Sequence, residues 1–99
     1  MLDNKGKVVV LTGGTKGIGF EIAKKFINTG AQVFIGARKN TSNIEKLGKS
    51  AIYVKTDVRI YDQMENLFNT ALNKSNKIDI YINNAGISIW KSINNADEK

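Results

Sequence analysis

The sequence predicts an α/β fold: one parallel sheet wound by helices on both faces, with strand order 3-2-1-4. Three observations carry that expectation. Short apolar runs recur along the 99 residues, and segments of helical periodicity separate them. The first run, Val8-Val9-Val10-Leu11-Thr12, passes directly into a glycine cluster and then into an amphipathic segment. Strands that alternate with helices cross over with a right hand, which makes their sheet parallel and doubly wound.

Each element follows from its own pattern. Lys7 to Thr12 is almost continuously apolar and bounded by glycine, as expected of a strand covered on both faces. From Gly17 to Thr29, Ile18, Ile22, Ala23, Phe26 and Ile27 share one helical face, with Lys24, Lys25 and Asn28 opposite and Gly30 as the stop. Gln32 to Ala37 forms a second buried-type strand around Val33-Phe34-Ile35-Gly36, and Ile44 and Leu47 give a short helix within Asn40 to Gly48. Ala51 to Lys55 is the third strand. Beyond Asp57, the residues Met64, Leu67, Phe68, Ala71 and Leu72 repeat at i, i+3, i+4, i+7 and i+8, the stripe of an amphipathic helix. Ile78 to Asn83 is the fourth strand, with Ile78, Ile80 and Ile82 alternating against Asp79 and Tyr81. Asn95-Ala96-Asp97-Glu98 reads as the capped first turn of another helix. Residues 1–99 are therefore expected to be the N-terminal portion of a longer domain, cut after its fourth strand.

Composition removes several chemistries. The chain has no cysteine and no histidine, so disulfides, thiolate or imidazole metal ligands and a histidine-based triad are excluded, and no metal site is expected. Fifteen Lys and Arg against nine Asp and Glu give a net charge of +6. The lysines, among them Lys5, Lys24, Lys25, Lys46, Lys49, Lys74, Lys77, Lys91 and Lys99, are scattered and form no stripe interleaved with aromatics, so no nucleic-acid partner is expected. No apolar run approaches the about 18 residues of a membrane span. A cytoplasmic protein with no membrane partner is the expectation.

The glycine cluster carries the chemistry. A strand that turns sharply into a helix while its backbone approaches a phosphate needs positions without Cβ, and the helix then offers unpaired N–H groups and its positive dipole end. The spacing in Thr12-Gly13-Gly14-Thr15-Lys16-Gly17-Ile18-Gly19 is T-G-x-x-x-G-x-G. It is neither G-x-G-x-x-G nor a P-loop. With Asp57-Val58 after the third strand and Asn83-Asn84-Ala85-Gly86 after the fourth, this pattern resembles the short-chain dehydrogenase/reductase family, in order and at family spacing. The resemblance runs from Gly6-Lys7-Val8 to Asp97-Glu98.

That resemblance implies a Rossmann-type NAD(P)-binding domain in an oxidoreductase that moves hydride between nicotinamide and a small carbonyl or alcohol substrate, the full-length protein being a homo-oligomer. It assigns Gly13, Thr15, Lys16, Gly17, Ile18 and Gly19 to the pyrophosphate and adjoining ribose. An acidic residue about 20 positions beyond the glycines would hold the ribose 2′-hydroxyl of NAD. This chain instead reads Gly36-Ala37-Arg38-Lys39. A guanidinium fork at Arg38, with Lys16 as a second cation, matches a 2′-phosphate, so NADP is expected over NAD; solvated surface cations are the plain alternative. Asp57 resembles the family's adenine-contacting acid, with Val58 beside the ring, and a cap for the following helix is its other use. Asn84-Ala85-Gly86 resembles the segment along the cofactor ribose, where turn formation alone is the competing role.

Ser88 falls too early to be the family's catalytic serine. The family's proton donor is a tyrosine in Tyr-x-x-x-Lys, but Tyr53 is followed four positions on by Asp57, Tyr61 by Glu65 and Tyr81 by Ala85. No catalytic residue is assigned within the chain, and these 99 residues alone are expected to be inactive. A nucleotide-binding module without catalysis, stand-alone or truncated, is the alternative.

Overall fold

A computed structural model describes residues 3–84. Four strands, β1 (Val8–Thr12), β2 (Gln32–Ala37), β3 (Ala51–Lys55) and β4 (Ile80–Asn83), alternate with three helices, α1 (Gly17–Asn28), α2 (Ser42–Lys46) and α3 (Tyr61–Ser75). The sheet is entirely parallel in the order β3-β2-β1-β4, the order expected from the sequence. The anticipated helix at residues 95–98 lies outside the described residues.

β1 reads as an unbroken apolar run because both of its faces are covered. Val9 and Leu11 join Val33, Ile35, Ala23 and Ile44 on the side of α1 and α2. Val8 and Val10 join Phe34, Leu67 and Ala71 on the side of α3. Ile80 and Ile82 pack onto the first cluster, while Tyr81 points to the other face and meets Phe68 edge-on, ring centres 5.0 Å apart. The period-2 alternation of side chains thus distributes one strand between two half-cores.

The element ends have local causes. α1 stops in a Schellman arrangement: Gly30 N–H donates to Ile27 O (3.0 Å) and Ala31 N–H to Phe26 O (3.0 Å), with Gly30 at a φ of 104°. Asn76, at a φ of 66°, ends α3 by donating its N–H to Leu72 O (2.8 Å). The sequence places the fourth strand two residues too early. Ile78 and Asp79 precede β4, and Asp79 bonds β1 with its side chain as well as its backbone: Oδ2 accepts from Val8 N–H (2.8 Å) and its own N–H donates to Val8 O (2.8 Å). Two helix assignments also change. Ile18 is 74% exposed although the next residue, Gly19, is buried against the turn after β1, and Leu72 is 43% exposed on the flank of the α3 stripe, one residue on from buried Ala71.

The Val8 N–H, and then Lys77 with its Nζ 3.1 Å away, hold the Asp79 carboxyl below its usual range. A carboxyl depressed on folding contributes stability above its unfolded value of about 3.9, and that contribution disappears as pH falls through the folded value. Asp79→Asn should therefore lower the urea midpoint at pH 7, and that deficit should shrink progressively as pH falls below about 4. A deficit that is independent of pH would contradict the role given to the charge.

Candidate functional site

The register makes the four strand ends level. Thr12 stands opposite Gly36 on one side and Asn83 on the other, and Ala37 stands opposite Lys55. Each group of residues singled out in the sequence follows one of these ends: Gly13 to Gly19 after β1, Arg38 after β2, Asp57 and Val58 after β3, and Asn84 after β4. The strand order reverses at β1, from which the chain moves out to β2 and β3 before returning to β4 on its other side, and open α/β sheets bind ligands in the crevice outside the carboxyl ends at such a point. Ala85 and Gly86 lie outside the described residues.

The turn after β1 is fixed at three points. Gly13 N–H donates to Gly36 O (2.9 Å), Asn84 Nδ2 donates to Gly13 O (2.9 Å), and Asn43 Nδ2 donates to Thr15 O (3.0 Å). Gly13 and Gly17 take φ values of 75° and 61°, which an L side chain resists. Gly19 is needed for space. A Cβ there would lie 2.6 Å from Asn84 Nδ2 and would overlap the Gly13 carbonyl oxygen. Gly19 therefore lets the first turn of α1 close onto the Gly13–Asn84 bond.

α1 begins with no side-chain cap from Lys16 and no acid in its first turn. Its first N–H groups have no intrahelical partner, and they carry the positive end of the helix dipole. Lys16, Gly17 and Ile18 are exposed there. A shallow cleft of about 520 Å³ runs from these three residues and Asn43 along α1 past Phe20 and Glu21. The arrangement suits an anion held by backbone donors, with an apolar side chain at Ile18 beside it.

The far side of the crevice is cationic around one carboxylate. The Ala37 carbonyl accepts from Thr56 N–H (2.9 Å) and from the Tyr53 hydroxyl (2.9 Å), which fixes the strand end from which exposed Arg38 departs. Burial pushes the Tyr53 hydroxyl above its ordinary pKa. Asp57 is bound by its near neighbour Arg59: Oδ1 accepts from the Arg59 backbone N–H (3.0 Å) and Nε (3.0 Å), and Oδ2 from Nη2 (2.8 Å). Those hydrogen bonds, then the charges of Arg59 and Arg38, hold the Asp57 carboxyl well below the usual carboxylate range. The capping use of Asp57 is not realised. The N-cap of α3 is Ile60, with no side-chain cap, and Asp57 instead closes a tight turn onto Arg59. Val58 is half-buried beside it. Asn83 Oδ1 accepts from the Thr12 hydroxyl (3.1 Å), so the two asparagines join the end of β4 to β1 and its loop.

Two participants were missed in the sequence. Asn43 holds a carbonyl 28 positions away, a contact that no local pattern announces. Arg59 stands two residues after Asp57, a spacing open to an aspartate turn. Among the described residues there is no group of three metal-ligating side chains, and no helix is long and apolar enough to cross a membrane.

Comparison with known proteins gives a consistent result. The sequence profile of the short chain dehydrogenases matches residues 7–99. The chain is 37% identical over 94 residues to 3beta-hydroxysteroid dehydrogenase 1 of Eggerthella lenta, covering 88% of this chain and 36% of that protein. It is 40% identical over 86 residues to tropinone reductase-like 2 of Erythroxylum coca, covering 84% of this chain and 31% of that one. The crystal structure of a 3-ketoacyl-(acyl-carrier-protein) reductase from Brucella melitensis, complexed with NADH, superposes with a TM-score of 0.73 at 31% identity, covering 80% of this chain and 34% of the reductase. The chain spans about a third of the length of these relatives.

Gly19→Ala tests the packing at the turn. The added methyl should force Asn84 and the Gly13 carbonyl apart and destabilise the protein by about 1–3 kcal/mol, the usual cost of overpacking, read from urea unfolding. A variant as stable as its parent would show that the turn has slack.

Proposed function

The chain belongs to the short chain dehydrogenase family, and from that premise we propose that residues 1–99 form the cofactor-binding part of an NADP(H)-preferring oxidoreductase acting on a carbonyl or alcohol substrate. The observation that carries the proposal is the uncapped start of α1 above a turn held by Gly36, Asn84 and Asn43. Those donors fit a pyrophosphate, and Gly19, by letting the first turn of α1 close onto the Gly13–Asn84 bond, keeps them at the end of β1. When bound, the nicotinamide cofactor supplies the hydride.

The chain's own residues bind and orient. Gly13, Thr15, Lys16, Gly17, Ile18 and Gly19 take the pyrophosphate and the adjoining ribose, chiefly through backbone N–H groups. Arg38 and Lys16 take the 2′-phosphate; among the described residues Arg38 makes no ion pair, so its donors are available. Asp57 accepts from the adenine amine with the lone-pair capacity that Arg59 leaves, and Val58 packs beside the ring. Asn84, with Ala85 and Gly86, runs along the ribose. We assign proton transfer to residues outside these 99, because no tyrosine here has a lysine four positions on. The names of the relatives, a steroid dehydrogenase and a tropinone reductase-like protein, support a small-molecule carbonyl or alcohol and do not narrow it further. A cytoplasmic homo-oligomer that binds neither metal, nucleic acid nor membrane completes the proposal.

The cofactor preference is tested by isothermal titration of the intact protein with NADPH and NADH. Charge-assisted contacts to the 2′-phosphate are worth about 1.5–3 kcal/mol, so NADPH should bind more tightly by roughly 10- to 150-fold, and Arg38→Asp should erase or reverse the preference. Equal affinities in the parent would remove the NADP assignment and leave the fold untouched. Residues 1–99 expressed alone should show no NADPH-dependent reduction of ketones or aldehydes. Turnover abolished by substituting Tyr53, Tyr61 or Tyr81 would instead place the proton donor within this chain.

A further inference from the structure

Two arginines, Arg38 and Arg59, and one carboxylate, Asp57, follow the adjacent ends of β2 and β3 at the carboxyl edge of the sheet. The pairing of Ala37 with Lys55, and the hydrogen bond from Thr56 N–H to Ala37 O (2.9 Å), bring Arg38 and Asp57 to the same level on adjacent strand ends. The charge of Arg38 is the weakest of the influences that hold the Asp57 carboxyl low. The carboxylate is held by Arg59, through Nε to Oδ1 at 3.0 Å, Nη2 to Oδ2 at 2.8 Å, and the backbone N–H to Oδ1 at 3.0 Å.

We infer that Arg59 is a positioning residue: by gripping Asp57 with its fork and its backbone N–H, it keeps that carboxylate from closing on Arg38 and leaves the Arg38 guanidinium open to a phosphate. Arg59 wins the competition because it is local. A turn of two residues already brings its N–H to Oδ1, so the fork closes with little further ordering, whereas Arg38 must reach over from another strand. The planar fork also matches a carboxylate in two parallel bonds. Removing the Arg59 side chain leaves Oδ2 without its partner and Oδ1 with the residue-59 backbone N–H alone, which frees the carboxylate to pair with Arg38 from the adjacent strand end, and that ion pair would have to be broken before any phosphate binds. The consequence for nucleotide choice rests on the proposed role of Arg38; the competition for Asp57 does not.

The experiment therefore has two arms on the intact protein, with circular dichroism confirming that each variant is folded. In the first, carbon-detected NMR follows the titration of the Asp57 carboxyl without nucleotide. Arg38→Ala should hardly move its midpoint in the parent, but should raise it clearly in Arg59→Ala, where Arg38 has become the partner. A midpoint in Arg59→Ala that Arg38→Ala leaves unmoved overturns the inference, whatever the cofactor preference proves to be. In the second arm, Arg59→Ala should lower the ratio of NADPH to NADH affinity by about two- to fivefold, the weight of an exposed ion pair. Asp57→Asn in the same background should restore it, since a neutral amide does not sequester Arg38. A ratio that falls in Arg59→Ala and stays low in the double variant overturns the inference in favour of a direct contact between Arg59 and the phosphate. A parent without any preference, together with the expected Asp57 titrations, sinks the role of Arg38 in cofactor choice and leaves the competition for Asp57 standing.

Discussion

The side-chain amide of Asn84 reaches across 71 positions of sequence to the Gly13 carbonyl, 2.9 Å away, and occupies the space that any side chain on Gly19 would need. Three features of the fold meet in that contact. β4 must lie directly beside β1 so that Asn84 emerges next to the turn, which the parallel register of Thr12 with Asn83 provides. Gly13 must turn its carbonyl toward β4, which its φ of 75° permits. The helix must start close to the sheet, which only glycine at position 19 allows. Because a folded core transmits small displacements instead of absorbing them, a change at any of the three shifts the N–H groups at the start of α1.

The two sides of the crevice have opposite characters. On the β1 side, the groups suited to an anion are backbone donors and a helix dipole, which are fixed by the fold, with exposed Lys16 beside them. On the β2 and β3 side stand side chains, Arg38, Asp57 and Arg59, whose charges depend on one another. The first arrangement suits the invariant part of a dinucleotide, its pyrophosphate. The second suits the part that differs between dinucleotides, because exchanging one side chain there alters the charge without disturbing the turn.

The strand order was legible in the sequence because alternating patterns of period 2 and 3.6 leave few topologies open, and the glycine spacing marked the turn that matters. Errors arose where periodicity cannot distinguish two physical situations. Ile78-Asp79 alternates like a paired strand, yet Asp79 caps β1 with its carboxylate as well as its backbone. Ile18 falls on the apolar stripe of α1, yet in the first turn it is Gly19 that is buried and Ile18 that is exposed. Leu72 fits the helical stripe, but α3 buries a narrower band around Leu67 and Ala71. Asn43 and Arg59 were invisible as site residues for different reasons: one acts over a distance in sequence, and the other looks like any surface cation until its partner's geometry is seen.

The central claim is that the start of α1 and the ends of β2 and β3 form one dinucleotide site. Backbone amide shifts of the isotopically labelled intact protein during titration with NADPH test it most directly. The account predicts that the largest shifts fall on Gly13 and Lys16 to Gly19, with a second group at Arg38, Asp57 and Val58, all saturating at one common ligand concentration. Shifts confined to the flank of α1 around Phe20 and Lys25, or two groups saturating independently, would contradict it.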